Sequence, residues 1–115
     1  MPRREWRLRV EDILEAIARI ERYTQGLTFE QFQADQKTAD AVVRNLEVIG
    51  EAVRHLAGQR DSLPGGIPWA DIAGMRNVLI HAYFGVDLKI IWHTIVDDLP
   101  MLRVQLQKVL PLDDC

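Results

Sequence analysis

The chain holds a single cysteine, Cys115, its last residue, so no disulfide can form within it. A lone thiol carries no metal-ligand spacing and fits a reducing compartment. Long apolar runs are also missing: none approaches the roughly 20 residues that span a bilayer. The first residues, Met1-Pro2-Arg3-Arg4-Glu5-Trp6, lack the apolar stretch of a secretory signal, so the expected location is the cytoplasm. A basic excess is absent too. Fourteen Lys and Arg against seventeen Asp and Glu give a net charge of −3, which argues against indiscriminate binding of polyanions. Any nucleic-acid role needs a local basic surface.

What the chain does have is a globular balance, 48% hydrophobic and 27% charged residues. Its 115 residues are expected to form one domain, 1–115, with a core that needs no staples. Strand-like alternation, internal repeats and low-complexity tracts are missing. Helical spacing runs almost throughout.

Val10, Ile13, Leu14, Ile17 and Ile20 predict a first helix over about Glu5 to Gln25, stopped by Gly26. Thr28 followed by Gln31 is a capping-box pattern for a short helix from Phe29 to Ala34. Asp35 or Thr38 can cap a long third helix with Val42, Val43, Leu46, Ile49, Val53 and Leu56 as its apolar stripe. Gly50 inside that stripe suggests close approach of another helix. Gly58 to Pro68, with Pro64-Gly65-Gly66, reads as a loop, and Pro68 suits the first turn of a fourth helix ending near Tyr83 to Gly85. Asp87 then caps a helix carrying Ile90, Ile91, Ile95 and Leu99. Pro100 is expected to kink or break it near Asp98, with Leu102, Leu106 and Val109 completing the pattern. The fold class is all-α, an antiparallel bundle of about five to six helices.

Chemistry concentrates in Arg76-Asn77-Val78-Leu79-Ile80-His81-Ala82-Tyr83. On one helix Asn77 and His81 share a face. Arg76 and His81 are offset by about 7.5 Å of rise and roughly 140° of rotation. Arginine suits phosphate, because its planar fork donates two parallel hydrogen bonds and never deprotonates. Histidine suits proton transfer near neutral pH. Together they can act on a phosphodiester without a metal. Taken singly, each has a plainer reading: a helical histidine is more often structural, an arginine an ion-pair residue, Tyr83 a partly buried aromatic.

The ordered set is more specific. Arg76-x4-His81-x-Tyr83 resembles the signature of the HEPN superfamily, and more narrowly of the HepT-like toxins paired with minimal nucleotidyltransferase antitoxins. Arg44-Asn45-Leu46-Glu47-Val48-Ile49-Gly50-Glu51-Ala52 resembles the family's third-helix block. Pro68-Trp69, Ile72-Ala73-Gly74-Met75-Arg76-Asn77, Tyr83-Phe84-Gly85-Val86-Asp87, Trp92 and Asp98-Leu99-Pro100 follow it in order. The likeness covers most of the chain from Asp35 to Leu110.

The resemblance implies a HEPN-type helical homodimer with both motif copies in a cleft between subunits, acting as a metal-independent, cofactor-free endoribonuclease toxin on RNA. It makes His81 the acid/base for attack by the ribose 2′-hydroxyl, Arg76 the phosphate ligand, Asn77 a substrate-positioning residue and Tyr83 the site to which the antitoxin transfers AMP. Glu51 becomes a candidate support for the cleft. A second reading uses the same residues as ligands: a non-catalytic nucleotide- or RNA-binding subunit of a nucleotidyltransferase. A third, a purely structural dimerisation unit, leaves the motif unexplained.

Other features have plainer expectations. Arg3, Arg4, Arg7 and Arg9 read as a solvated face beside Glu5 and Glu11 before they read as a phosphate patch. Glu47 and Glu51 are expected to be exposed or paired with Arg44 and Arg54. His55 and His93 show no ligand spacing with Cys115, and Trp69 and Trp92 are assigned to core packing, with Trp6 at the N-terminal edge.

Overall fold

A computed structural model describes residues 2–58 and 87–109, with side chains placed for 6–56 and 87–109. Every regular element among the described residues is helical: α1 (Pro2–Thr24), α2 (Phe29–Ala34), α3 (Gln36–Gly58), α4 (Leu88–His93), a π turn (Thr94–Asp98) and α5 (Leu99–Gln107).

Local chemistry accounts for each boundary. α1 begins at Pro2, earlier than the apolar pattern indicated, because a first-turn proline loses no helical hydrogen bond. It ends where Gly26 takes φ +79°, while Leu27 N–H donates to Thr24 O at 3.0 Å. Thr28 and Gln31 form the expected capping box: Gln31 N–H donates to Thr28 Oγ1 at 3.1 Å and Thr28 N–H to Gln31 Oε1 at 2.9 Å. Asp35, not Thr38, caps α3. Its carboxylate accepts from Thr38 N–H at 3.1 Å and Thr38 Oγ1 at 2.7 Å, and these bonds hold the carboxyl below the usual aspartate range. Asp87 caps α4, accepting from the N–H groups of Lys89 at 2.9 Å and Ile90 at 3.4 Å.

The core lies chiefly between α1 and α3. α1 is 23 residues, about 34 Å long. The connector Gln25–Asp35, which includes α2, reaches under about 27 Å. It is too short to carry the chain back alongside, so the two helices run antiparallel. Val10, Ile13, Ile17 and Ile20 face Val42, Leu46, Ile49, Val53 and Leu56, all buried, with Trp6 and Ala39 beside them. Leu14 and Val43 are half-buried at the edge, and Gly50 is carried within α3 without interrupting it. α2 closes one end through the fully buried Phe32. The α4–α5 stretch adds Ile91, Ile95, Leu99, Leu102 and Leu106 to the same cluster, and Arg103 Nη1 reaches Glu21 Oε1 on α1 at 2.7 Å. Three buried polar side chains are satisfied locally. Thr24, Asn45 and Thr94 each donate to the carbonyl four residues back, at 2.8, 2.9 and 3.0 Å.

The kink or break expected near Asp98 takes the form of a π turn ending at that residue, not an end to the helix. Helical dihedrals continue from Leu88 to Gln107, and the helix loosens into a π turn in which Leu99 N–H donates to Thr94 O, five residues back. An interior proline lacks a donor and presses on the carbonyl of the preceding turn. The wider π turn just before Pro100 accommodates both, leaving it in the first turn of α5. The fourth helix read over Pro68 to Tyr83, with the loop before it and Trp69, lies outside the described residues.

The buried seam sets the first prediction. Leu46→Ala should cost about 2–5 kcal/mol in denaturant unfolding. Leu8→Ala, at a residue 54% exposed, should stay within about 0.5 kcal/mol. Equal losses at both positions would contradict this assignment of the core.

Candidate functional site

The residues of strongest chemical interest, Arg76, Asn77, His81 and Tyr83, fall in the segment 59–86, outside the described residues. The structure does place the two ends that hold that segment. One is the C-terminal end of α3 at Gly58, and the other is Asp87, whose cap starts α4. Both ends belong to elements anchored in the core, by Val53 and Leu56 on one side and Ile91 and Ile95 on the other.

Glu51, the candidate support residue, is on the last part of α3 with its side chain 56% exposed. Arg54 Nη2 donates to its Oε2 at 2.6 Å, and His55 Nε2 lies 3.3 Å from the same oxygen. The Arg54 hydrogen bond, with the nearby charges of Arg54 and His55, outweighs the small effect of burial and holds the Glu51 carboxyl below the usual glutamate range. Glu51 thus stays anionic at neutral pH and is spent on its own helix. Glu47 and Arg44 are exposed. Of the N-terminal arginines, the side chains of Arg3 and Arg4 lie outside the described residues. Arg7 and Arg9 are half-buried rather than fully solvated, and Arg9 stands 3.8 Å from Asp12.

A second locus, which the sequence reading did not assemble, lies between α2 and α4. Phe29, Lys89, Trp92, His93, Val96 and Asp97 line an open cavity of about 300 Å³. Trp92 is half-buried rather than enclosed in the core. Its ring stacks on the buried Phe32 with centroids 5.2 Å apart and planes at 34°, and meets Phe29 at 6.2 Å and 56°. His93 is exposed yet not isolated: its Nδ1 lies 2.6 Å from Asp97 Oδ2 on the rim. The one available signal was the pairing of Trp92-x3-Val96 with His93-x3-Asp97, two one-turn pairs offset by a residue. Phe29, from a distant element, could not be added without the fold. Among the described residues no group of three or more His, Cys, Asp or Glu side chains is arranged to hold a metal ion. No helix among them is long and apolar enough to cross a membrane.

Comparison with known proteins decides the family. The model of the family described as ribonuclease HepT-like matches residues 13–109. The chain belongs to the HepT-like ribonuclease family. That span contains the whole of residues 76–83 as well as the described helices from the middle of α1 onward. A protein of Thermococcus cleftensis named probable ribonuclease HepT is 46% identical over 100 residues, covering 87% of this chain and 91% of the relative. A candidate RNase of Caldanaerobacter subterraneus subsp. tengcongensis is 42% identical over 101 residues, covering 88% and 90%. Another, of Methanocaldococcus jannaschii, is 41% identical over 100 residues, covering 87% and 83%. No solved structure matches the chain. HepT-like membership makes the chain an enzyme of the endoribonuclease class and agrees with the all-helical fold.

The Glu51 cluster yields a pH prediction. A carboxyl lowered in the folded state contributes stability above its unfolded pKa and loses it as pH falls through the folded pKa. Arg54→Met should therefore move the Glu51 carboxyl titration, followed by NMR, upward towards the ordinary glutamate value. Its small stability deficit should be present at neutral pH, fade in acid and shrink with added salt. An unchanged Glu51 midpoint would show that Arg54 is not the cause.

Proposed function

We propose that this HepT-like chain is the toxin of a toxin–antitoxin pair, a homodimeric endoribonuclease that cuts RNA without a metal and is silenced by a minimal nucleotidyltransferase antitoxin. The observation that carries the reading is the uninterrupted Arg76-x4-His81-x-Tyr83 arrangement inside the family-matched span 13–109.

In this mechanism His81 removes the proton from a ribose 2′-hydroxyl. The 2′-oxygen bonds to the adjacent phosphorus, the bond from phosphorus to the 5′-oxygen breaks, and the leaving oxygen takes a proton from histidine acting as acid. The products are a 2′,3′-cyclic phosphate and a 5′-hydroxyl end. Arg76 holds the phosphate and offsets the charge that builds on its oxygens in the transition state. Asn77, four residues before His81 in sequence, positions the substrate or orients the imidazole. The spacing that predicts one helix through Arg76 and His81 sets them about 140° apart around its axis, which favours a cleft shared by two subunits to bring phosphate ligand and proton carrier together. Tyr83 is the regulatory end. AMP transferred to its hydroxyl adds bulk and negative charge beside an anion site and excludes RNA.

Purified protein should cleave RNA in the presence of a chelator, and His81→Ala should lower the rate about 10²–10⁴-fold while abolishing growth inhibition. Undiminished cleavage by that variant would remove His81 from the chemistry. Absence of cleavage and toxicity in the unmodified chain, with tight binding to a nucleotidyltransferase, would favour the non-catalytic subunit. For Tyr83, intact mass after incubation with the antitoxin and ATP should rise by one or more AMP groups. Tyr83→Phe should prevent that rise, and unchanged modification of the variant would rule the site out.

A further inference from the structure

We infer that the cavity between α2 and α4 is a base-binding subsite, in which one purine of single-stranded RNA stacks on Trp92 while Lys89 engages the neighbouring phosphate. The inference rests on the chain acting on RNA and assigns a place for a nucleotide away from the segment that holds His81.

The lining of the cavity carries it. Trp92 lines the cavity while Phe32, fully buried and not part of the lining, braces the indole from the core side. The indole is thus braced by an aromatic neighbour, while Trp92, only half-buried, contributes to the cavity wall, as a stacking residue must. Phe29 meets it at 56°, making a second, inclined aromatic wall. The volume, about 300 Å³, lies at the small end of ligand pockets and holds one flat heterocycle rather than a length of chain.

The rim has the charge such a ligand needs. Lys89 is exposed, and none of the ion pairs among the described residues uses it. Asp97, the rim's carboxylate, is held by His93 at 2.6 Å. The pair faces the cavity with a carboxylate oxygen able to accept from the exocyclic amino group of a purine. Finally, Val96 and Asp97 stand in the π turn, a local distortion of a kind found often at functional sites. Val96 is 51% exposed, so the apolar floor continues to solvent beyond the indole.

The occupant is a nucleobase rather than a peptide because the lining pairs an aromatic floor with a cation that no ion pair among the described residues engages, and phosphate alternates with base along a single strand. A chain with a net charge of −3 gains from such a local contact, since its overall charge offers RNA no attraction.

The test uses fluorescein-labelled oligo(A) of ten nucleotides and the full chain carrying His81→Ala, so that the probe stays intact. Lys89→Glu, on the surface, should weaken binding about ten-fold and lower the salt slope by about one. Trp92→Phe, which keeps an aromatic against Phe32, should weaken it about five-fold. Circular dichroism checks that both remain folded. In the unsubstituted chain, AMP alone should shift the Trp92 indole N–H and the Val96 amide in NMR spectra. Wild-type affinity in both variants, with the Trp92 signals unmoved, would overturn the subsite while leaving cleavage by His81 untouched. If cleavage persists in His81→Ala but the pocket variants bind weakly, the catalytic assignment fails and the subsite stands. A chain that binds no RNA overturns both. Loss of dimer on Val96→Arg would assign the cavity to contact between copies and overturn the subsite as well.

Discussion

The packing of α1 against α3 is the constraint on which the rest of the molecule depends. Two antiparallel helices of 23 residues each bury a continuous aliphatic seam, and the other described elements attach to it. Dehydrating a valine, leucine or isoleucine side chain contributes roughly 1.5–3 kcal/mol, so this seam outweighs any surface ion pair in the chain. Phe32 caps one end of it, and the α4–α5 helix lies along its side, with Arg103 and Glu21 setting the fit at the edge. Capping groups decide where helices start; the seam decides that they stay.

This division explains what the sequence made legible. Period and capping are local properties, and they located α2, its Thr28–Gln31 box, the Gly26 stop and the Asp87 cap without knowledge of the fold. Between Asp35 and Thr38 the sequence offered two caps of similar quality. Backbone geometry chose Asp35, and Thr38 became its donor. Pro100 was read as a kink or break near Asp98, and the disturbance lies there, but its form, a π turn, was not legible because sequence gives no measure of how far the preceding turn can widen. Trp92 was assigned to the core by its apolar neighbours. Its half-exposed position depends on Phe29 and Phe32, which are remote in sequence and reach it only through the tertiary fold.

The candidate chemistry shows the same contrast. Arg76, Asn77, His81 and Tyr83 were legible as an ordered motif because their meaning lies in residue type and spacing, and the family match over 13–109 spans them. Glu51 was legible only as a possibility. Its 2.6 Å bond to Arg54 shows a carboxylate already engaged on its own helix. The structure adds a frame: the segment carrying the motif enters from the α3 end and leaves into the Asp87 cap, both held by buried side chains. That arrangement joins the two proposed RNA contacts covalently, since Lys89 and Trp92 follow the motif within the same stretch of chain.

The π turn fixes something further, the phase of the last helix. In an ordinary helix each residue advances about 100° around the axis, so one residue more or fewer turns everything downstream by that amount. The wide turn at Thr94–Asp98 absorbs one extra residue, with Ile91 before it, Ile95 within it, and Leu99, Leu102 and Leu106 after it all buried. Deleting the extra residue would restore regular hydrogen bonding and leave the downstream leucines facing the seam, whereas adding another would turn them away from it. The local irregularity is thus a slack of one residue in the ladder: this stretch can give up length more readily than it can take it.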